Sequence, residues 1–134
     1  MDARTRELIR RRAGNACEYG RIPQDATPLI PLHIEHVVAR QHGGEDNPGQ
    51  LALACDRCNA YKGPNLSSID PDSGEIVPLF NPRRDIWKDH FMFRGGEIVG
   101  LTPTGRATVR LLNMNVLRRV ELREEWLDEG RELS

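Results

Sequence analysis

The chain has 134 residues, enough for one domain with a modest core and too few for two independent ones. Its 19 lysines and arginines nearly balance 20 aspartates and glutamates, which excludes global attraction to a polyanion and leaves any such contact to a local basic face. Aromatic residues make up only 5%, so a large apolar core is excluded as well.

Residues 2 to 13 read as a helix, with Asp2 as N-cap and Gly14-Asn15 as its stop. Arg4, Arg6, Arg10, Arg11 and Arg12 crowd it, a pattern that fits a solvated face or a nucleic-acid surface. After a loop with Pro23 and Pro28, the run Leu29 to Ala39 has strand character through Leu32, Ile34, Val37 and Val38. Gly43-Gly44 and Asn47-Pro48-Gly49 punctuate a loop, and Leu51 to Ala54 returns as a second short strand. A helix follows from Cys58 to about Tyr61. The stretch Lys62 to Arg84, rich in Pro, Gly, Ser and Asp, reads as an arm ordered by packing against its neighbours. Asp85 to Phe91 form a helical turn, Phe91 to Phe93 and Glu97 to Leu101 a hairpin around Gly95-Gly96, Ala107 to about Met114 an amphipathic helix, and Val116 to Leu127 a second one. Trp87, Phe91, Phe93 and Trp126 are expected in the core, with His90 as a packing or capping group. No apolar run reaches membrane-spanning length and the N-terminus is not a secretory start, so a cytoplasmic protein with no membrane partner is expected.

The chemistry concentrates between Cys17 and Gly63. Glu35-His36 places a hard oxygen donor beside an imidazole able to work as a base near neutral pH. Cys55-x-x-Cys58 offers soft thiolates, and in a reducing compartment three cysteines favour a metal over a disulfide. Two strands and a helix, with the acid-His pair on the first strand and Asn59 on the helix, make an economical site for metal-assisted phosphodiester hydrolysis. Glu35 and Asn59 would be the metal ligands and His36 the base. His33 shares strand parity with Glu35, as a structural support or a ligand. Arg40, Arg57 and Lys62 flank the motif and are candidates for phosphate contact or for plain solvation.

From Cys17 to Pro64 the sequence resembles the HNH (His-Asn-His) endonucleases of the ββα-metal fold, in the subgroup with a Cys-x-x-Cys-Asn-x-x-Lys-Gly signature, here Cys55 to Gly63. Leu79 to Arg83, Trp87 to Phe91 and Gly100 to Thr108 are similar to segments that accompany the nuclease core in a bacterial HNH group. The resemblance implies an α+β fold: a ββα-metal core at about 15–65 in a single 134-residue nuclease domain, with an N-terminal helix, a C-terminal β-hairpin and C-terminal helices. It implies a metal-dependent endonuclease acting on DNA, with Mg2+ or Mn2+, or Zn2+, at Glu35 and Asn59. Two positions depart from the family pattern. Gly20 stands where a second Cys-x-x-Cys would end, so a structural Zn2+ on Cys17, Cys55 and Cys58 lacks a fourth ligand unless water or His42 supplies it, and the alternative is an empty site. Gln50 stands where the middle Asn is expected, keeping the amide on a longer arm to brace the metal loop around His36. The alternatives are a catalytically weakened or inactive nucleic-acid-binding module on the same scaffold and a zinc-knuckle interaction domain.

Overall fold

The computed structural model describes residues 1–133. Helix α1 (Ala3–Arg12) starts where the Asp2 carboxylate accepts the Thr5 amide at 2.8 Å, and it ends in three arginines that complement its dipole. Ile9 is the side chain it buries. Two of its arginines hold loops: Arg12 donates to the carbonyls of Pro48 and Leu51, each at 2.8 Å, and Arg10 reaches that of Leu32.

Strand β1 (His33–His36) pairs antiparallel with β2 (Leu51–Ala54), with His33 opposite Ala54 and His36 opposite Leu51. β1 is much shorter than the apolar run 29–39 suggests. Pro31 offers no amide to a ladder just before it, and the Gln24 side chain pins the approach by accepting the Leu32 amide and donating to the carbonyls of Thr27 and Ile30. β2 is buried along its whole length. Helix α2 (Asp56–Lys62) follows at once with Cys55 as N-cap, starting two residues earlier than the sequence suggests and completing a ββα unit.

The arm 62–84 contains a hairpin the sequence reading missed, β3 (Ser67–Ile69) with β4 (Ile76–Pro78). A single buried carboxylate organises it. Asp70 accepts the Asp72 amide and the Ser73 hydroxyl, and Arg106 grips both its oxygens at 2.9 and 3.0 Å. Beyond it come α3 (Trp87–His90), β5 (Phe91–Arg94) paired with β6 (Glu97–Gly100), α4 (Pro103–Leu111) and α5 (Leu117–Asp128). Helix α4 begins four residues before the expected Ala107, because Thr102 caps the Gly105 amide and Pro103 fits the first turn. His90 caps in turn, its Nδ1 lying 2.6 Å from the Thr102 hydroxyl.

One core cluster links the ββα unit to the rest, drawing on Ile9, Tyr19, Leu51, Leu53, Phe80, Phe91, Ile98 and Leu112. Trp87 and Phe91 lie in it and Phe93 packs against it. Trp126 does not: its half-exposed ring lies under the Arg131 guanidinium, because α5 turns other residues inward.

Candidate active site and thiol cluster

The antiparallel register puts Glu35 and His36 at the end of β1 nearest the loop back to β2, and α2 lies across them. Glu35, His36 and Asn59 line one open cleft of about 440 Å3, with Ile34, Arg40, Ala60 and Gly63 among its walls. Strand alternation sends the two neighbours different ways. Glu35 is 6% exposed, whereas the His36 ring is about one-fifth exposed, at 21%.

The Glu35 carboxylate is held on both oxygens. The Tyr19 hydroxyl donates to Oε1, and the Lys62 ammonium lies 3.4 Å from Oε2 while donating to the Val37 carbonyl at 3.0 Å. Burial raises the carboxyl's pKa, and the Lys62 charge and the Tyr19 hydrogen bond oppose that rise. Burial, then the Glu35 charge, drive the Tyr19 phenol well above its usual range, so it stays a donor. Each carboxylate oxygen has a second lone pair, so this arrangement is compatible with a divalent ion shared with Asn59.

His36 has a partner that the motif did not reveal. Its Nε2 lies 2.6 Å from Oδ1 of Asp46, whose carboxylate is also held by Arg40 at 2.6 and 2.7 Å. The contact lowers the Asp46 pKa, chiefly through the hydrogen bond to His36. Gln50 accepts the Glu45 amide at 2.7 Å through its side chain, and its own carbonyl accepts the Val37 amide at 2.9 Å. It therefore braces the loop carrying Asp46 through a backbone amide.

The flanking residues divide. Arg40 lines the cleft and is exposed. Lys62, a candidate for phosphate contact or for plain solvation, is 2% exposed and committed to Glu35, so it serves the carboxylate from inside. Arg57 is exposed but lines a different depression, with Ile22, Tyr61 and Val116. His33 is exposed and does not line the cleft.

Behind α2, the sulfurs of Cys17, Cys55 and Cys58 lie within 4.8 Å of one another, buried and unbridged, close enough to hold a metal ion. The turn at 17–20 is built like a thiolate knuckle, the Gly20 amide donating to Cys17 Sγ at 3.3 Å as the Cys58 amide does to Cys55 Sγ at 3.4 Å. His42 is no fourth member: it is exposed in the loop after β1 and outside the cluster. What adjoins the sulfurs instead is Arg119 of α5, whose Nη2 lies 2.6 Å from Cys58 Sγ and 3.4 Å from Cys55 Sγ. The charge is shared unevenly. Hydrogen bonds from the other two thiols, reinforced by Arg119, hold Cys55 far below the usual thiol range, while burial pushes Cys17 up to about 12 and Cys58 upward too.

Residues 17–65 match the family model described as HNH endonuclease, a span that takes in the knuckle, the cleft residues and α2. No curated protein and no solved structure matches the chain.

Proposed function

With residues 17–65 belonging to the HNH endonuclease family, we propose that this chain is a divalent-metal-dependent endonuclease that hydrolyses DNA phosphodiester bonds. The observation that carries the reading is the convergence of Glu35, His36 and Asn59 on one open cleft. When bound by Glu35 and Asn59, Mg2+ or Mn2+, with Zn2+ as a third candidate, supplies positive charge to the scissile phosphate and the leaving oxygen. The protein supplies the rest. His36 takes the proton of the attacking water on its free ring nitrogen, because Asp46 occupies Nε2 and fixes the ring's orientation. Tyr19 and Lys62 aim Glu35 and favour its ionised form against the upward push of burial. Exposed Arg40, at the cleft wall, meets the substrate backbone as a phosphate contact. Gln50 holds the Asp46 loop, so its extra methylene does not favour the alternative of an inactive nucleic-acid-binding module. We place the protein's action in the cytoplasm, where its three free cysteines stay reduced; no described helix is long and apolar enough to cross a membrane.

The test is relaxation of supercoiled plasmid with Mg2+, Mn2+ or Zn2+ by wild type and His36→Ala. Wild type should nick or linearise the plasmid, and the variant should be slower by roughly a hundredfold or more while binding metal normally. Equal rates would remove His36 from the mechanism, and no cleavage with any of the three ions would remove the activity.

A further inference from the structure

The thiol cluster has the knuckle geometry of a zinc site, yet the place of a fourth donor is taken by a cation. A Cβ built on Gly20 would stand 2.7 Å from Arg119 Nη2, 3.2 Å from Arg123 Nη2 and 3.4 Å from Cys58 Sγ. Both arginines come from α5, and they are 3% and 0% exposed. Arg119 bridges the sulfurs to the end of α4, its Nη1 donating to the carbonyls of Leu112 at 2.6 Å and Asn113 at 3.1 Å. Arg123 donates to the carbonyls of Gly20 at 2.8 Å, Gly96 at 3.0 Å and Met114 at 2.9 Å. Two guanidinium groups thus reach the knuckle from about a hundred residues away in sequence, where a desolvated charge is costly unless it is paired.

A guanidinium has hydrogen-bond donors and no lone pair to give, so it cannot complete a tetrahedral zinc shell. It also repels a dication at the centre of the sulfurs, in a medium that screens poorly. What it does provide is the other half of a structural metal's work: positive charge for the sulfurs and a cross-link between distant segments. Cys17, Cys55 and Cys58 with Gly20 therefore do not fit a structural zinc while Arg119 is in place. The geometry points to Arg119, seconded by Arg123, as the replacement for that ion, locking the C-terminal helix onto the nuclease core and closing the thiol cluster to zinc.

Cobalt(II) is a direct probe, because thiolate ligation gives an intense sulfur-to-cobalt absorption that oxygen and nitrogen donors do not. It reads the cluster separately from the Glu35 cleft and without any assay of cleavage. The wild type should show no such band and hold no thiolate-bound zinc after zinc loading and desalting, and its melting temperature should not change with chelator. Gly20→Cys alone should behave likewise and melt lower, because its side chain collides with Arg119. Gly20→Cys combined with Arg119→Leu should gain the band, one further zinc per chain by elemental analysis, and chelator-sensitive melting. A sulfur-to-cobalt band in the wild type would overturn the proposal, and so would a folded double variant without one. Should the double variant fail to fold, the wild-type spectrum decides alone.

Discussion

At the scale of single residues, the most informative side chain is Tyr19, which is buried and yet holds Glu35. Its hydroxyl favours the ionised carboxylate against the upward push of burial. In Tyr19→Phe that opposition is lost, so the Glu35 pKa rises further. On the proposed reading a divalent ion binds the ionised form, hence affinity is lost as the pH falls through the carboxyl's pKa, and the variant should lose it at higher pH than wild type. Near neutrality we expect Mn2+ affinity lower by about tenfold, as for other residues that support a metal ligand. Calorimetric titration at several pH values checks both; unchanged affinity would leave Tyr19 a core residue only. Glu35, His36 and Asn59 were legible in the sequence as neighbours in one cleft, because they sit on one short strand and the helix that follows the next. Tyr19 and Asp46 were not, since each meets its partner only after a loop has folded back, across 16 and 10 positions respectively.

At the scale of elements, α4 is fitted between hairpins by two features of different kinds. One is close approach. A Cβ on Gly105 would lie 2.1 Å from the His90 carbonyl oxygen, a backbone atom that cannot yield cheaply. Gly105→Ala should therefore cost about 3 kcal/mol in chemical denaturation, the upper end of ordinary overpacking, despite the better helix propensity of alanine. A cost near zero would mean that α4 slides freely over β5 and β6. The other is charge. Arg106, chiefly through its hydrogen bonds, holds the Asp70 carboxyl far below its usual range. A carboxylate with a depressed folded-state pKa stabilises fully above its unfolded pKa of about 3.9 and loses that contribution as the pH falls toward the folded value. Asp70→Asn should thus melt below wild type at pH 7, with the gap narrowing below about pH 4; a gap that stays constant down to pH 2 would exclude the ion pair as its source. The β3–β4 hairpin escaped the sequence reading for the same reason: its order comes from an arginine 36 positions on, while its own Pro, Ser and Gly residues advertise a loop.

At the scale of the whole molecule, residues beyond the family-matched span converge on the turn at 17–20. Arg83 pairs with Glu18, the Trp87 indole donates to the Tyr19 carbonyl at 2.9 Å, Arg123 holds the Gly20 carbonyl and Arg119 the sulfurs. The ladders contribute little continuity, since the described strands form three separate two-stranded sheets. A fragment ending at Leu66 should consequently lack cooperative thermal unfolding by circular dichroism and disperse poorly in amide NMR spectra, even with zinc added. Cooperative melting of that fragment would show that the ββα core stands alone. The Trp87 contact also has an optical consequence. Its indole is shielded, packed on Phe91 and Phe93 with the Arg21 guanidinium 4.9 Å from the ring, and it hangs the backbone of the residue whose side chain grips Glu35. The only other tryptophan, Trp126, is half-exposed at the far end of α5. Native emission should therefore divide into a blue component from the shielded Trp87, which is joined to Glu35 only through Tyr19, and a redder one from Trp126, so a shift in the blue component alone would report a change at Tyr19 with the red one as internal reference.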